Sequence, residues 1–267
     1  VSPSVGAWRP GRAKKMRPYV DRVMALLPCE PAAHERLGGP PCTYTGHPMI
    51  ERQAWIAGLD TRPLAQRLGL AAGEPLLVVL PGSRTSEVAR LLQPFGDAVA
   101  KLKAMGHTFR VVIPAMPHVR AQIEAAVRAW PVAPTLLDGD EDKFRAFKLA
   151  RAALAASGTV TLELGLSGVP MVVAYQVDQI AAQLRYFIKA QSIVLANLVI
   201  EENAFPEFVQ ADVNGDTLAA SLAPLLGDTP ARAAQLAALA RIPARLKLPS
   251  GTPSEAAAAI VLRYAGR

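Results

Sequence analysis

Along the chain, short apolar runs alternate with longer stretches in which apolar residues return every three or four positions. The runs Val20 to Leu27, Thr43 to Thr45, Leu76 to Leu80, Phe109 to Ile113, Ala152 to Ala155, Met171 to Tyr175 and Ser192 to Leu195 read as β-strands. Between the third and fourth, Val88, Leu91, Leu92, Phe95, Val99 and Leu102 fall at helical intervals and Gly106 stops the pattern. Pro94, inside that stretch, predicts a kink or a boundary. Strand, helix and strand at this spacing mean βαβ units and a parallel sheet. Strands that are apolar on both sides need helices on both faces, so the fold class is α/β with a doubly wound parallel sheet.

The alternation is interrupted once. Between Gly46 and Gly73 the sequence is rich in turn formers and short helical pieces and holds no clear strand, which reads as a hinge between domains. The division expected is therefore residues 1–48 as part of a first domain, 49–72 as a linker, 73–242 as a complete doubly wound domain and 243–267 as a helical tail. Two or three βα units before Gly46 are too few to bury both faces of a sheet, so an upstream half-domain is expected. The Ala-rich helix in "PSEAAAAIVLRYAG" is expected to pack on that half.

Composition narrows the class. With 51% hydrophobic and 19% charged residues the chain can bury a core and is too apolar for disorder. Cys29 and Cys42, with no CxxC or Cys/His grouping, argue against a disulfide framework or a zinc site and for a reducing compartment. The longest apolar runs are far shorter than the roughly 20 residues of a membrane-spanning helix. A net charge of +7 favours anionic partners, with a merely solvated basic surface as the plain alternative. Five cations and no acid lie between Arg9 and Arg17, a pattern suited to phosphates or to a membrane surface. No aromatic-basic interleaving, zinc-finger spacing or RNP-like motif accompanies them, which disfavours nucleic acid.

Candidate chemistry lies where strands hand over to helices, since ligands of open parallel sheets sit outside the carboxyl ends of the strands. After Leu76 to Leu80 come Gly82, which lets backbone approach closely, Ser83 with a hydroxyl, and Arg84 with a planar fork matched to phosphate. Glu87, one turn later, is placed to hold Arg84 or to cap the helix. After Ala152 to Ala155 come Ser157, Gly158 and Thr159, donors suited to a pyrophosphate, with Glu163 placed to accept from ribose hydroxyls. Two phosphate-friendly turns in one domain point to a nucleoside diphosphate; each alone also reads as an ordinary helix cap. Asp138 to Asp142 reads as a helix cap near Glu141 rather than a metal site. His47 reads as a hinge histidine, His34 as helix surface, and His107 and His118 as turn residues. No Ser-His-Asp set, nucleophile elbow or Walker sequence is present.

Several longer stretches carry a resemblance. "LPGSRTSEVARLLQPF", "ASGTVTLE" followed by "PMVVAYQV", the upstream "SPSVGAWRPGRAKKMRPYVDRVMALLPCEP", "YTGHPM" and the downstream "ANLVIEENAFPEFVQ" together resemble the lipid-A-disaccharide synthases, in order and over nearly the whole chain. Gly6 stands where the family usually has tryptophan and Cys29 where it has phenylalanine, both packing changes. The resemblance implies a GT-B glycosyltransferase with two Rossmann-like domains and the active site between them. It implies a donor, UDP-2,3-diacylglucosamine, on the C-terminal domain. It implies an acceptor, 2,3-diacylglucosamine 1-phosphate (lipid X), on the N-terminal one, where the general base is also expected. The products would be the β-1,6 disaccharide 1-phosphate and UDP, formed with inversion and without a metal or other cofactor. Donor contacts are expected from Gly82, Ser83, Arg84, Glu87, Ser157, Gly158, Thr159, Glu163 and Asn197, with Arg84 stabilising the leaving pyrophosphate. Acylated substrates imply a cytoplasmic enzyme lying peripherally on the inner membrane through the Arg9 to Arg17 patch; Tyr186, Phe187 and Lys189 are further candidates, though their stretch reads first as a domain helix followed by a strand. Another GT-B nucleotide-sugar enzyme, such as an epimerase, and an inactive UDP-binding fragment are the alternatives.

Overall fold

The computed structural model describes residue 5, residues 11–177 and residues 192–266. Among them β1 (Val23–Ala25) and β2 (Cys42–Tyr44) form a parallel pair. A second sheet is built from β3 (Leu76–Leu80), β4 (Arg110–Pro114), β5 (Thr135–Leu137), β6 (Ala150–Ala156), β7 (Met171–Tyr175) and β8 (Glu207–Val209). Its order is β5-β4-β3-β6-β7-β8, and every neighbouring pair is parallel. The winding runs outward from β3 to β5, then returns to place β6 on the other side of β3.

Both faces of this sheet are covered, which is why β3 is apolar at every position and β6 at every position but Arg151. Leu76, Val78 and Leu80 enter one core with Phe144, Phe147 and Leu162. Leu77 and Val79 point the other way, into a core with Val88, Leu91 and Phe95. The alternation of side chains along a strand divides one apolar run between two cores.

The differences from expectation each have a cause. β5 and β8 carry no long apolar run; each is a three-residue edge strand. Ser192 to Leu195 is not a strand. Its Ile193 N–H goes to the Glu207 carboxylate, and the Ser192 hydroxyl accepts from Val194 N–H, so the chain turns into the helix Leu195–Ile200. Pro94 makes no boundary: the helix Thr85–Ala104 runs through it. A proline inside a helix costs about 3 kcal/mol. Six large side chains buried on that helix, Val88 through Leu102, each return about 1.5–3 kcal/mol and outweigh it.

The linker is helical in three short pieces, Pro48–Arg52, Gln53–Gly58 and Arg62–Leu68. The tail folds back onto the first segment and the first linker piece. Tyr44 donates to the Leu246 carbonyl (2.8 Å), Ser254 N–H to Glu51 (2.7 Å), and Arg22 to the Tyr264 hydroxyl (3.2 Å). Gly46, at φ +82°, leaves the space that Pro253 and Leu248 fill. The Ala-rich tail helix Pro253–Ala265 thus finds partners within the chain. His34, expected on a helix surface, is fully buried, because Gly39 closes over its ring.

Candidate functional site

The helix after β3 packs on one face of the sheet and the helix after β6 on the other, so the two connecting turns part and leave a crevice between them. A cavity of about 400 Å³ occupies it. This lies within the roughly 300–1,000 Å³ typical of small-molecule sites. Gly82, Ser83 and Glu87 form one wall; Ser157, Gly158, Thr159 and Glu163 form the opposite one. Of the nine residues expected to contact a donor, all but Arg84 and Asn197 line this single cavity.

In the first turn Gly82 holds φ +120°, and a Cβ there would lie 2.7 Å from the side chain of Glu87. Only glycine allows Glu87 to fold back over the turn. Its carboxylate accepts from Ser83 N–H (3.3 Å) and Arg84 N–H (3.4 Å) and pairs with the Arg84 guanidinium (2.7 Å). The amides expected to meet a ligand anion therefore hold an anion already, supplied by the protein. Arg84 stands at the rim with its side chain 79% exposed. A brace that the sequence did not reveal comes from the helix Pro117–Val127. His118 Nε2 lies 2.7 Å from the Ser83 carbonyl, and Gln122 donates to the Thr85 carbonyl.

In the second turn the donors divide. Ser157 has none left over: its N–H goes to Ala174 O and its hydroxyl to Ile193 O (2.7 Å), so it ties the turn to β7 and to Ile193. The N–H groups of Gly158, Thr159 and Val160 donate to no described residue. Gly158 is not required by backbone conformation, and a Cβ there would meet nothing within 4 Å. The space in front of it is the cavity itself.

The floor of the site was not foreseen. Lys143, from the helix Gly139–Leu149, reaches the cavity and bridges Asp140 (2.9 Å) and Glu163 (3.1 Å). Burial works to raise the Asp140 carboxyl, but hydrogen bonds from Lys143 and Arg52 outweigh it and hold the group below its ordinary value. The Asp138 to Asp142 cluster starts this helix at Gly139, two residues before the expected Glu141, and its acids face cations instead of capping backbone. Asp138 pairs with Arg120, Asp140 with Arg52 and Lys143, and Asp142 with Arg67 and Arg145.

Asn197 is not brought to the cavity. It is 1% exposed, donates to the Phe205 carbonyl (3.0 Å) and Ser192 Oγ (3.2 Å), and accepts from Phe205 N–H (3.0 Å). Its amide is fully engaged in closing the 192–205 loop. His47 is buried, caps the Pro48–Arg52 turn by accepting from Met49 N–H and does not line the cavity. Tyr186, Phe187 and Lys189 lie outside the described residues.

Comparison with known proteins adds to this geometry. The model of the lipid-A-disaccharide synthetase family matches residues 1–261. The chain belongs to that family. The lipid-A-disaccharide synthase of Rhodopseudomonas palustris (strain BisB18) is 50% identical over 98% of this chain and 65% of its own length. That of Rhodospirillum centenum is 41% identical over the same shares of the two chains. The chain thus spans just under two thirds of the length of these curated relatives. Among solved structures, the S. aureus MnaA–UDP co-structure superposes with a TM-score of 0.64 at 14% identity, over 92% of this chain and 60% of that one. UDP-GlcNAc 2-epimerase from Neisseria meningitidis, bound to UDP-GlcNAc, gives 0.61 at 15% identity, over 92% and 62%. WaaG, a glycosyltransferase of lipopolysaccharide biosynthesis, gives 0.54 at 17% identity, over 88% and 61%. At these identities the likeness establishes the fold, Rossmann-like and of GT-B type.

The Asn197 network makes a separate prediction. Asn197→Ala leaves the Phe205 amide and carbonyl buried without partners, at about 1–3 kcal/mol for each group. Urea unfolding should show a loss of about 3 kcal/mol; a change within about 0.5 kcal/mol would show the loop to be held by other means.

Proposed function

We propose that this chain carries the donor site of a lipid-A-disaccharide synthase, with residues 73–242 as the donor-binding domain, 1–48 as part of the acceptor domain, 49–72 as the linker and 243–267 as the tail. The observation that carries the reading is the convergence of the Gly82 and Gly158 turns on one cavity at the reversal of the sheet. Family membership supports UDP-2,3-diacylglucosamine as donor and 2,3-diacylglucosamine 1-phosphate as acceptor.

In the reaction the acceptor 6-hydroxyl oxygen forms a bond to the donor's anomeric carbon from the face opposite UDP, and its proton passes to a base that we assign to no residue of this chain. The bond from the anomeric carbon to the β-phosphate oxygen breaks, and UDP leaves with the electron pair. Negative charge therefore grows on the pyrophosphate, and groups already aimed at it lower the barrier most, because they need no reorganisation. The amides of Gly158, Thr159 and Val160, which donate to no described residue, suit this role. Arg84 reaches it by exchanging the Glu87 carboxylate for phosphate oxygens, an exchange of one anion for another. Glu163 orients the ribose.

Among the described residues no helix is long and apolar enough to cross a membrane. Peripheral association is the reading we favour, with the protein on the cytoplasmic side of the inner membrane. Arg12, Lys14, Lys15 and Arg17 are exposed along and just after the helix Gly11–Met16, and Tyr19 beside them is 87% exposed. Cations with an exposed aromatic suit an anionic interface carrying acyl chains.

Three outcomes check the reading. Calorimetry should show UDP binding that Gly158→Ala weakens at least tenfold while the unfolding midpoint stays put, since no fold constraint holds that glycine; unaltered affinity would remove the turn from the site. With the full set of substrates, Arg84→Ala in the full-length protein should lower turnover by two to three orders of magnitude, as loss of one such donor does elsewhere. Near-normal turnover would remove Arg84 from the leaving-group role. Vesicles rich in anionic lipid should pellet the parent protein, and the double charge reversal of Lys14 and Lys15 to Glu should leave most of it in the supernatant. Equal pelleting would discard the patch.

A further inference from the structure

Lys143 stands between two carboxylates that compete for it. Its Nζ lies 2.9 Å from Asp140 Oδ1 and 3.1 Å from Glu163 Oε2. Only the bridge to Glu163 serves the wall of the cavity where the ribose would lie. What keeps Asp140 from drawing the lysine away is a residue from outside the nucleotide-binding domain. Arg52, at the end of the first linker piece, donates from Nη1 to the other oxygen, Asp140 Oδ2, at 2.9 Å. Its guanidinium is fixed by stacking, 4.6 Å from the Trp55 ring centroid and 4.9 Å from that of Phe144, and Lys143 lies over the same Phe144 ring at 4.7 Å. Trp55 and Phe144 meet edge to face at 5.5 Å, which holds the linker against this wall.

The charges also balance as a set. Three acids, Glu87, Asp140 and Glu163, face the cavity, and Arg84, Arg52 and Lys143 neutralise them through the pairs just described. Without Arg52, a single ammonium would have to serve two otherwise unpaired carboxylates. Asp140 is on the same helix one turn away and would hold it more closely. Glu163 would then lose the partner that fixes its direction.

We infer that Arg52 is a positioning residue for nucleotide recognition: by occupying Asp140 it keeps Lys143 on Glu163 and so holds Glu163 aimed at the ribose hydroxyls. This deepens the donor-site reading and rests on it. It also makes the linker a part of the site, since recognition of the ribose depends on a side chain from residues 49–72.

The test is the ratio of affinities for UDP and 2′,3′-dideoxy-UDP, measured by calorimetry on the whole chain and its variants. A carboxylate accepting from ribose hydroxyls should make the parent prefer UDP at least tenfold. E163Q should bring the ratio near one, which establishes that the ratio reads Glu163. R52M should do the same, and R52K, which keeps a cation for Asp140, should retain most of the preference. The deciding variant is the double substitution R52M/D140N. With Asp140 neutral there is no competitor for Lys143, and the preference should return to within about threefold of the parent, a rescue that a merely structural role for Arg52 would not give. No UDP binding by the parent would overturn the donor-site reading, and this inference with it. A parent that prefers UDP and an E163Q variant that does so equally would remove Glu163 from the ribose and overturn the inference. If E163Q loses the preference while R52M keeps it, or if R52M/D140N fails to regain it, Arg52 has no such role and the donor site stands. Unfolding midpoints of all variants within a few degrees of the parent confirm that the ratios compare folded proteins.

Discussion

A parallel sheet covered by helices on both faces has to reverse its winding somewhere, and here the reversal falls between β3 and β6. The candidate site follows from that constraint. The two strands are neighbours with their carboxyl ends side by side, yet the helices that leave them go to opposite faces. No packing of apolar side chains can close the gap between the departing turns, because each turn is pulled toward its own core. The crevice is thus imposed by the cores, and the polar groups of Gly82, Ser83, Gly158 and Thr159 are at its walls because that is where the backbone leaves the sheet.

A crevice lined by backbone amides needs its charges controlled, and much of the remaining local structure does so. Glu87 sits on the amides of Ser83 and Arg84 in the place an anionic ligand would take. That gives the donors of an exposed turn a partner within the protein. Lys143 bridges Asp140 and Glu163, and Arg52 shares Asp140. Exposed ion pairs contribute little to stability singly. Here their importance is directional: each fixes which way a carboxylate points and leaves the cavity close to electrically neutral before a diphosphate enters.

The same organisation explains which site residues were legible beforehand. Gly82, Ser83 and Glu87 follow an apolar run within a few positions, so strand, turn and helix start could be read from local spacing, and the Gly158 turn with Glu163 likewise. Lys143, His118 and Arg52 could not be read that way. Each acts on a partner far off in sequence: His118 on Ser83, 35 positions away, and Arg52 on Asp140, 88 positions away. Their own neighbourhoods look like ordinary helix starts. Asn197 is placed away from the cavity for the opposite reason. A polar residue in a distinctive motif reads as a ligand contact, but burial obliges it to spend every hydrogen-bonding group on Ser192 and Phe205.

By itself, then, the sequence determined the alternating α/β class, the central strands and the two turns that carry the amides, because hydrophobic period and turn chemistry are local properties of the chain. The edge strands β5 and β8 and the helical Leu195–Ile200 escaped it, since three-residue strands and a side chain taking a ladder position are decided by neighbours rather than by period. Only the tertiary structure decided that the two turns share one cavity, that Arg52 reaches the Asp140 that lines it, and that the tail returns to earlier parts of the chain. Those are matters of where separately coded elements come to rest, and that position is set by the burial of two cores at once, a sum over the whole molecule that no short stretch of residues contains.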